Sequence, residues 1–195
     1  MPKIISDYER EQTQIAIIKH TKQIILLKRG VRDITVDDIV RSVGFGKGSF
    51  YSYFKSKEEC LYRVLETAVA DVYEQIKIIK QHKMSTREKA VRFLREVYLA
   101  DDRVNYYFST TDIQAMFRKL PPEYAEMEQN FIGDGLINDI MEFMNIDKVQ
   151  AEAFNMLLKC MEFAYFSDSS KEVKDEVIDA LVQTIADYVE RHSTI

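Results

Sequence analysis

The chain is poor in the residues that interrupt helices: six Gly and three Pro among 195. Neither sits well in a helix interior, so their scarcity favours long helices over a mixed fold. The two cysteines, Cys60 and Cys160, lie 100 residues apart. That excludes a disulfide framework, and each reads as a small buried hydrophobe. No stretch approaches the ~18 consecutive apolar residues of a membrane span. Met1–Arg10 lacks the apolar core of a secretory signal. A soluble cytoplasmic protein that does not engage membranes is expected. Catalytic constellations are missing too. His20, His82 and His192 are scattered, with no partner at metal-ligand spacing. There is no nucleophile motif and no phosphate-binding Gly loop, so no enzyme activity, metal or cofactor is expected.

What is present is an uneven charge. The net value is −5, but residues 1–57 hold eleven Lys/Arg against six Asp/Glu, a balance of +5. The remainder carries −10. A basic head on an acidic body points to a local polyanion site rather than a uniformly sticky surface.

Apolar spacing predicts about nine helices and no strand. The first runs from about Ile5 to Arg29, with Ile15, Ile18, Ile25 and Leu26 as its inner face and Gly30 as its terminator. The second starts at the N-cap Thr35, with Asp37 and Asp38 in its first turn, buries Ile39, Val40 and Val43, and stops at Gly44. A third covers Lys47–Phe54. Capping boxes at Ser56–Glu59 and Ser85–Glu88 open helices that run to about Ile79 and Ala100. A sixth covers Tyr106–Arg118, a seventh Pro122–Met144, an eighth Asp147–Phe166 and a ninth Lys171–His192. Gly133-Asp134-Gly135 is out of place inside the seventh, at about 1 kcal/mol per Gly relative to Ala. It reads equally as a kink, a close helix crossing or a ligand contact.

Two short helices joined through Gly44-Phe45-Gly46 have the sequence form of a helix-turn-helix. In the third helix, at about 100° per residue, Phe50 and Phe54 share one face and read as core. Gly48, Ser49 and Ser52 make the opposite face, small and polar, with Tyr51 and Tyr53 on either side. Such a face suits close entry into the major groove, with the serines reaching base edges and the tyrosines reaching phosphates. Lys57 stands in the first turn of the fourth helix, where the dipole disfavours a cation unless an anion also binds there. Lys55 and the N-terminus of the second helix at Thr35 are further phosphate contacts on this reading.

Thr35-Val36-Asp37-Asp38-Ile39-Val40, then Gly44, then Lys47 through Glu59, resembles the signature of the TetR family of regulators. The likeness covers roughly residues 15–65. It implies an all-α protein with a three-helix DNA-binding domain at residues 1–55 and a helical ligand-binding and dimerisation domain at 56–195. It places the DNA contacts at Thr35, Gly46, Lys47, Gly48, Ser49, Tyr51, Ser52, Tyr53, Lys55 and Lys57. Gly46 stands where members often carry Ser, so the third helix lacks a side-chain cap. Lys22 fills a position that is usually small.

The eighth helix is apolar nearly all round between Ala153 and Phe166, so it must be covered on more than one side. The resemblance implies that it pairs, with the ninth, against a two-fold copy. Lys159, Glu162, Ile178, Leu181, Val182, Ile185 and Val189 are the expected dimer contacts. It also implies a small-molecule pocket, for which Phe93, Tyr98, Tyr107, Met116, Phe117, Phe131, Met161 and Phe163 are candidates; plain core is the competing reading of each. Their chemistry favours an apolar or aromatic effector. The expected function is that of a repressor whose affinity for a roughly palindromic duplex operator changes with that effector. Two other readings stand beside it. One is a ligand-independent, nucleoid-associated dimer of the same fold. The other is a small-molecule carrier whose helix-turn-helix no longer binds DNA.

Overall fold

In a computed structural model of the protein, residues 6–124, Met127 and residues 135–194 are described. Among them are nine α-helices: α1 (Asp7–Lys28), α2 (Val36–Val43), α3 (Lys47–Phe50), α4 (Lys57–Lys80), α5 (Thr86–Arg92), α6 (Thr110–Phe117), α7 (Gly135–Phe143), α8 (Ala151–Phe166) and α9 (Lys171–His192). The extended pairing among the described residues is a single antiparallel bridge, Ile146 with Ser193. No helix among them is long and apolar enough to cross a membrane.

Helix starts follow local side-chain chemistry. Ser6, Thr35, Ser85 and Ser109 each accept the N–H three residues on, and the acid there reaches back to the cap's own N–H. Each such reciprocal pair satisfies two of the donors that a helix leaves open at its N-terminus. The boxes at Ser6 and Ser109 begin α1 and α6 later than apolar spacing alone suggests. Residues 104–107 form a separate 3-10 turn before α6. Helix α5 ends at Arg92, and Phe93–Tyr98 continues as a π-helical turn. At the end of α1 it is Arg29, not Gly30, that takes the left-handed conformation (φ 52°). Gly44 does so after α2 (φ 75°), where a side chain would be strained.

The chain forms two compact units, neither continuous in sequence. The first takes in residues up to Asp71 and residues 102–132; the second, residues 72–101 and 133–195. Helix α4 contributes to both. In the first unit, Ile17, Ile25, Ile34, Ile39, Phe50, Phe54, Cys60 and Leu65 are buried together with Val104, Met116 and Phe117. The inner face of α1 is Ile17, Thr21 and Ile25, whereas Ile15 is half exposed. Thr21 brings a hydroxyl into this core by donating to the Ile17 carbonyl at 2.8 Å. The Cys60 sulfur lies 3.5 Å from that hydroxyl, and burial pushes its thiol up to about 12. In the second unit, α9 packs on α5 and α8 and buries Val182, Ile185, Ala186 and Val189.

Of the expected seventh helix, Pro122–Tyr124 is a 3-10 turn and α7 covers the end. Phe131, Gly133 and Asp134 lie outside the described residues; Gly135 is the first residue of α7.

Candidate nucleic-acid interface

The helix-turn-helix is built from two buried phenylalanines and an open face opposite them. Phe50 and Phe54 are 0% and 1% exposed. Their rings lie 5.6 Å apart, and Tyr51 meets Phe50 edge-on at 5.4 Å. The element is shorter than the eight-residue helix expected over Lys47–Phe54. Its α-helical part is Lys47–Phe50. Beyond it, Ser52 and Tyr53 donate their N–H groups to Ser49 and Phe50, three residues back, at 3.1 and 2.9 Å. The Phe54 N–H donates to the Phe50 carbonyl four residues back at 3.0 Å, and this α-type spacing keeps Phe54 on the buried side.

On the opposite face Gly48, Ser49 and Ser52 are exposed. A Cβ added at Gly48 would meet nothing within 4 Å. Packing inside the chain therefore does not require glycine there; close approach of something outside would. Gly46 caps α3 with no side-chain hydrogen bond. Tyr51 is 55% exposed, and Tyr53 is half-buried against the core of its unit. Lys55 is exposed, its N–H donating to the Glu59 carboxylate.

The structure brings Thr35 and Lys57 together. The Lys57 ammonium donates to the Ile34 carbonyl at 2.8 Å, one residue before the N-cap of α2. Thr35 itself is engaged in its capping box, as acceptor from the Asp38 N–H and donor to its carboxylate. The acids of the first turn of α2 are each neutralised by a cation. Asp37 pairs with Lys47 at 2.8 Å and Asp38 with Lys28 at 2.8 Å. Lys28, then the Thr35 backbone and hydroxyl, hold the Asp38 carboxyl far below the usual carboxylate range. Asp112 is lowered as well, because hydrogen bonds from Ser109 and Arg32 outweigh the burial that pushes it up.

Depressed carboxyl groups stabilise the fold fully above their unfolded values near pH 4, and that stabilisation disappears as pH falls through the folded values. Urea unfolding should therefore be nearly flat from neutrality to about pH 5 and weaken steeply below about pH 4. In Asp38→Asn the acid-side fall should be shallower; an unchanged acid limb would remove Asp38 from the account.

A cleft of about 200 Å³ opens beside Lys57 in the same unit, lined by Val31, Arg32, Glu58, Leu61, Met116 and Lys119 among others. Two ion pairs run across its walls, Arg32 with Asp112 and Lys119 with Glu58. Of the pocket candidates among the described residues, Met116 alone lines this cleft. Phe117 is buried and Tyr107 half-buried in the core of the first unit. Phe93, Tyr98 and Met161 are buried in the second unit, the Phe93 ring 6.4 Å from Tyr98 and 5.9 Å from Phe143. Phe163 is 80% exposed and so lines no interior of this chain. Among the described residues, no group of three His, Cys, Asp or Glu is placed to hold a metal.

The expected dimer contacts divide. Val182, Ile185 and Val189 are completely buried inside the second unit, because that face of α9 is taken by α5 and α8 of the same chain. Ile178 and Leu181 are half-buried and Lys159 is exposed. Glu162 accepts a hydrogen bond from the Tyr98 hydroxyl at 2.6 Å. On these two helices the exposed apolar side chains include Met156, Cys160, Phe163 and Phe166 on α8, with Val173 and Val177 on α9.

Residues 25–64 match the model of the bacterial regulatory proteins of the tetR family. An uncharacterized HTH-type transcriptional regulator of Bacillus subtilis strain 168, YfiR, is 27% identical over 81 residues. That match covers 42% of this chain and 38% of the relative's length. A crystallised transcriptional regulator of the TetR/AcrR family from Thermobifida fusca superimposes with a TM-score of 0.53 at 19% identity. The superposition spans 90% of this chain and 97% of that one. At that identity the likeness speaks for the fold.

Proposed function

We propose that this chain is a transcriptional regulator of the TetR family, whose model its residues 25–64 match, and that it reads duplex DNA with α3 and the turn after it. The observation that carries this reading is the open Gly48, Ser49 and Ser52 face, flanked by Tyr51 and Tyr53 and held by two fully buried rings. A face of that size enters a major groove without displacing its own core. Lys47, Lys55, Tyr51 and the Lys57 and Thr35 corner supply phosphate contacts around it. Residues 1–55 act as the reading head, and residues 56–195 as the part that dimerises and receives an effector.

Two heads in a two-fold dimer read a roughly palindromic operator. The contact between copies is the uncovered stripe of Met156, Cys160 and Phe163 on α8, continued by Val173, Val177, Ile178 and Leu181 on α9. Lys159 and Glu162 flank it. A soluble repressor released by an apolar or aromatic effector is the finer reading. The π-helical turn at Phe93–Tyr98 supports it, since such turns recur at functional sites. There the Tyr98 hydroxyl donates to Glu162 at 2.6 Å beside the Phe93 ring, so a polar pair stands next to aromatic side chains. Linkage then requires that operator weaken effector binding by the same factor by which effector weakens operator binding.

The test is a salt-dependent fluorescence anisotropy titration of a labelled duplex. Lys47→Ala should weaken binding to all sequences alike and reduce the slope of log affinity against log salt by about 0.9. Ser49→Ala should leave that slope unchanged and alter the ranking of duplexes of different sequence, by roughly 1–3 kcal/mol at the base it faces. If Lys47→Ala and Ser49→Ala had the same effect on every duplex, this division of roles would be wrong.

A further inference from the structure

The turn that presents Ser52 and Tyr53 has little of its own to hold it. Helix α3 is one turn long, its cap is a glycine without a side chain, and the Ser52 and Tyr53 N–H groups that follow bond only three residues back. Phe50 and Phe54 fix the two ends of this stretch, but they leave the direction of the outward groups between them open. A residue 42 positions earlier supplies the constraint. The Arg10 guanidinium donates to the Ser52 carbonyl at 2.8 Å. The same guanidinium lies over the Tyr53 ring, 5.8 Å from its centroid. The first contact is a charge-assisted hydrogen bond to a carbonyl at the end of a short helical segment, where helical partners run out. The second falls within the range of a cation–π interaction. Arg10 is itself well placed, in the first turns of a helix opened by the Ser6–Glu9 capping box.

We propose that Arg10 is a positioning residue of the reading head, fixing the Ser52 carbonyl and the Tyr53 ring before DNA arrives. The inference rests on the DNA-binding reading above and gives it a preorganising part. Ordering these groups in the free protein removes an entropy cost from binding. The guanidinium is shared between the carbonyl and the ring. Arg10 thus acts through Ser52 and Tyr53, not by touching a phosphate. That distinguishes it from Lys47 and Lys55, whose contribution is counted in released counterions.

The experiment is an anisotropy titration of a labelled mixed-sequence duplex over a range of salt concentrations. It compares wild type, Arg10→Ala, Arg10→Lys, Tyr53→Leu and the Arg10→Ala/Tyr53→Leu double variant, with far-UV melts to confirm folding. Arg10→Ala should weaken binding roughly tenfold, the size of one lost charge-assisted hydrogen bond, with an unchanged salt slope. Its effect should shrink in the Tyr53→Leu background, because residues that act through one another are not additive. Arg10→Lys keeps the charge but not the flat fork, and should recover only a small part of the loss. Full recovery by lysine, additive effects, or a slope reduced by about 0.9 would each overturn the positioning role. Wild-type and Arg10→Ala affinities that coincide would overturn it too, while leaving the DNA-binding reading intact. A wild-type chain that fails to bind the duplex would overturn that reading and this inference together.

Discussion

Phe163→Glu is expected to turn a dimer into folded monomers. The Phe163 ring is 80% exposed in the single chain, and Met156 on the same helix is 60% exposed. Cys160 lies between them in sequence and is also exposed. Positions 156, 160 and 163 are four and three apart, so they line one side of α8. Val173 and Val177, 49% and 41% exposed, are the apolar residues that α9 leaves uncovered. Covering one phenylalanine ring contributes about 1.5–3 kcal/mol, and two-fold symmetry counts it twice. Replacing it with a carboxylate also brings like charge to the contact. The dimer dissociation constant should rise more than a hundredfold, since about 3 kcal/mol already gives that. The monomers should keep their helical signal and unfold cooperatively, because no buried contact within the chain has been removed. Val182→Glu provides the contrast: that side chain is 0% exposed within its own unit, and an unpaired charge there should abolish folding. Sedimentation velocity at micromolar concentration reads both. A Phe163→Glu chain that sediments with the wild-type dimer would move the interface elsewhere.

The second large effect falls on the reading head. Phe50→Ala should destabilise the protein by about 3–5 kcal/mol, the usual cost of emptying a buried aromatic site. Phe50 is 0% exposed and touches both Phe54 and Tyr51. With α3 reduced to a single α-turn, that ring and Phe54 attach the reading face to the core. A domain has only about 5–15 kcal/mol in total, so urea unfolding should show a large shift of midpoint. DNA affinity should fall even at temperatures where the variant remains folded, since Ser49 and Ser52 lose their fixed footing. Ser49→Ala should leave the midpoint unchanged. Equal stability of Phe50→Ala and wild type would mean that the reading face is held by something other than this ring.

Most of the head was legible in the sequence because its signals are local. The Thr35 capping box, the left-handed Gly44 and the four-residue spacing of Phe50 and Phe54 each specify a structure within one or two turns. The inner face of α1 was less legible. Its isoleucines crowd positions 15, 17, 18, 24 and 25, so apolar spacing fits more than one side, and Ile17, Thr21 and Ile25 turn inward with Thr21 bonded to its own helix. The same ambiguity bears on the expected dimer contacts. On α9 the valines and isoleucines mark a buried face, but periodicity does not say whether a partner copy or the chain's own α5 and α8 does the burying. The bond from Arg10 to Ser52 spans 42 residues and leaves no local pattern at either end. The π-helical turn after α5 likewise has no spacing signature, because Phe93, Leu94, Val97 and Tyr98 fit an ordinary helical face equally well.

The central claim is that this chain reads DNA as a two-fold pair of helix-turn-helix heads. Its most direct test is selection of bound sequences from a pool of random duplexes by this 195-residue chain. The account predicts that the recovered duplexes share an inverted repeat whose half-sites lie about one helical turn (~34–36 Å) or somewhat more apart. It further predicts that the Phe163→Glu chain fails to enrich that repeat. Recovery of duplexes with no common sequence, or of none above background, would contradict it.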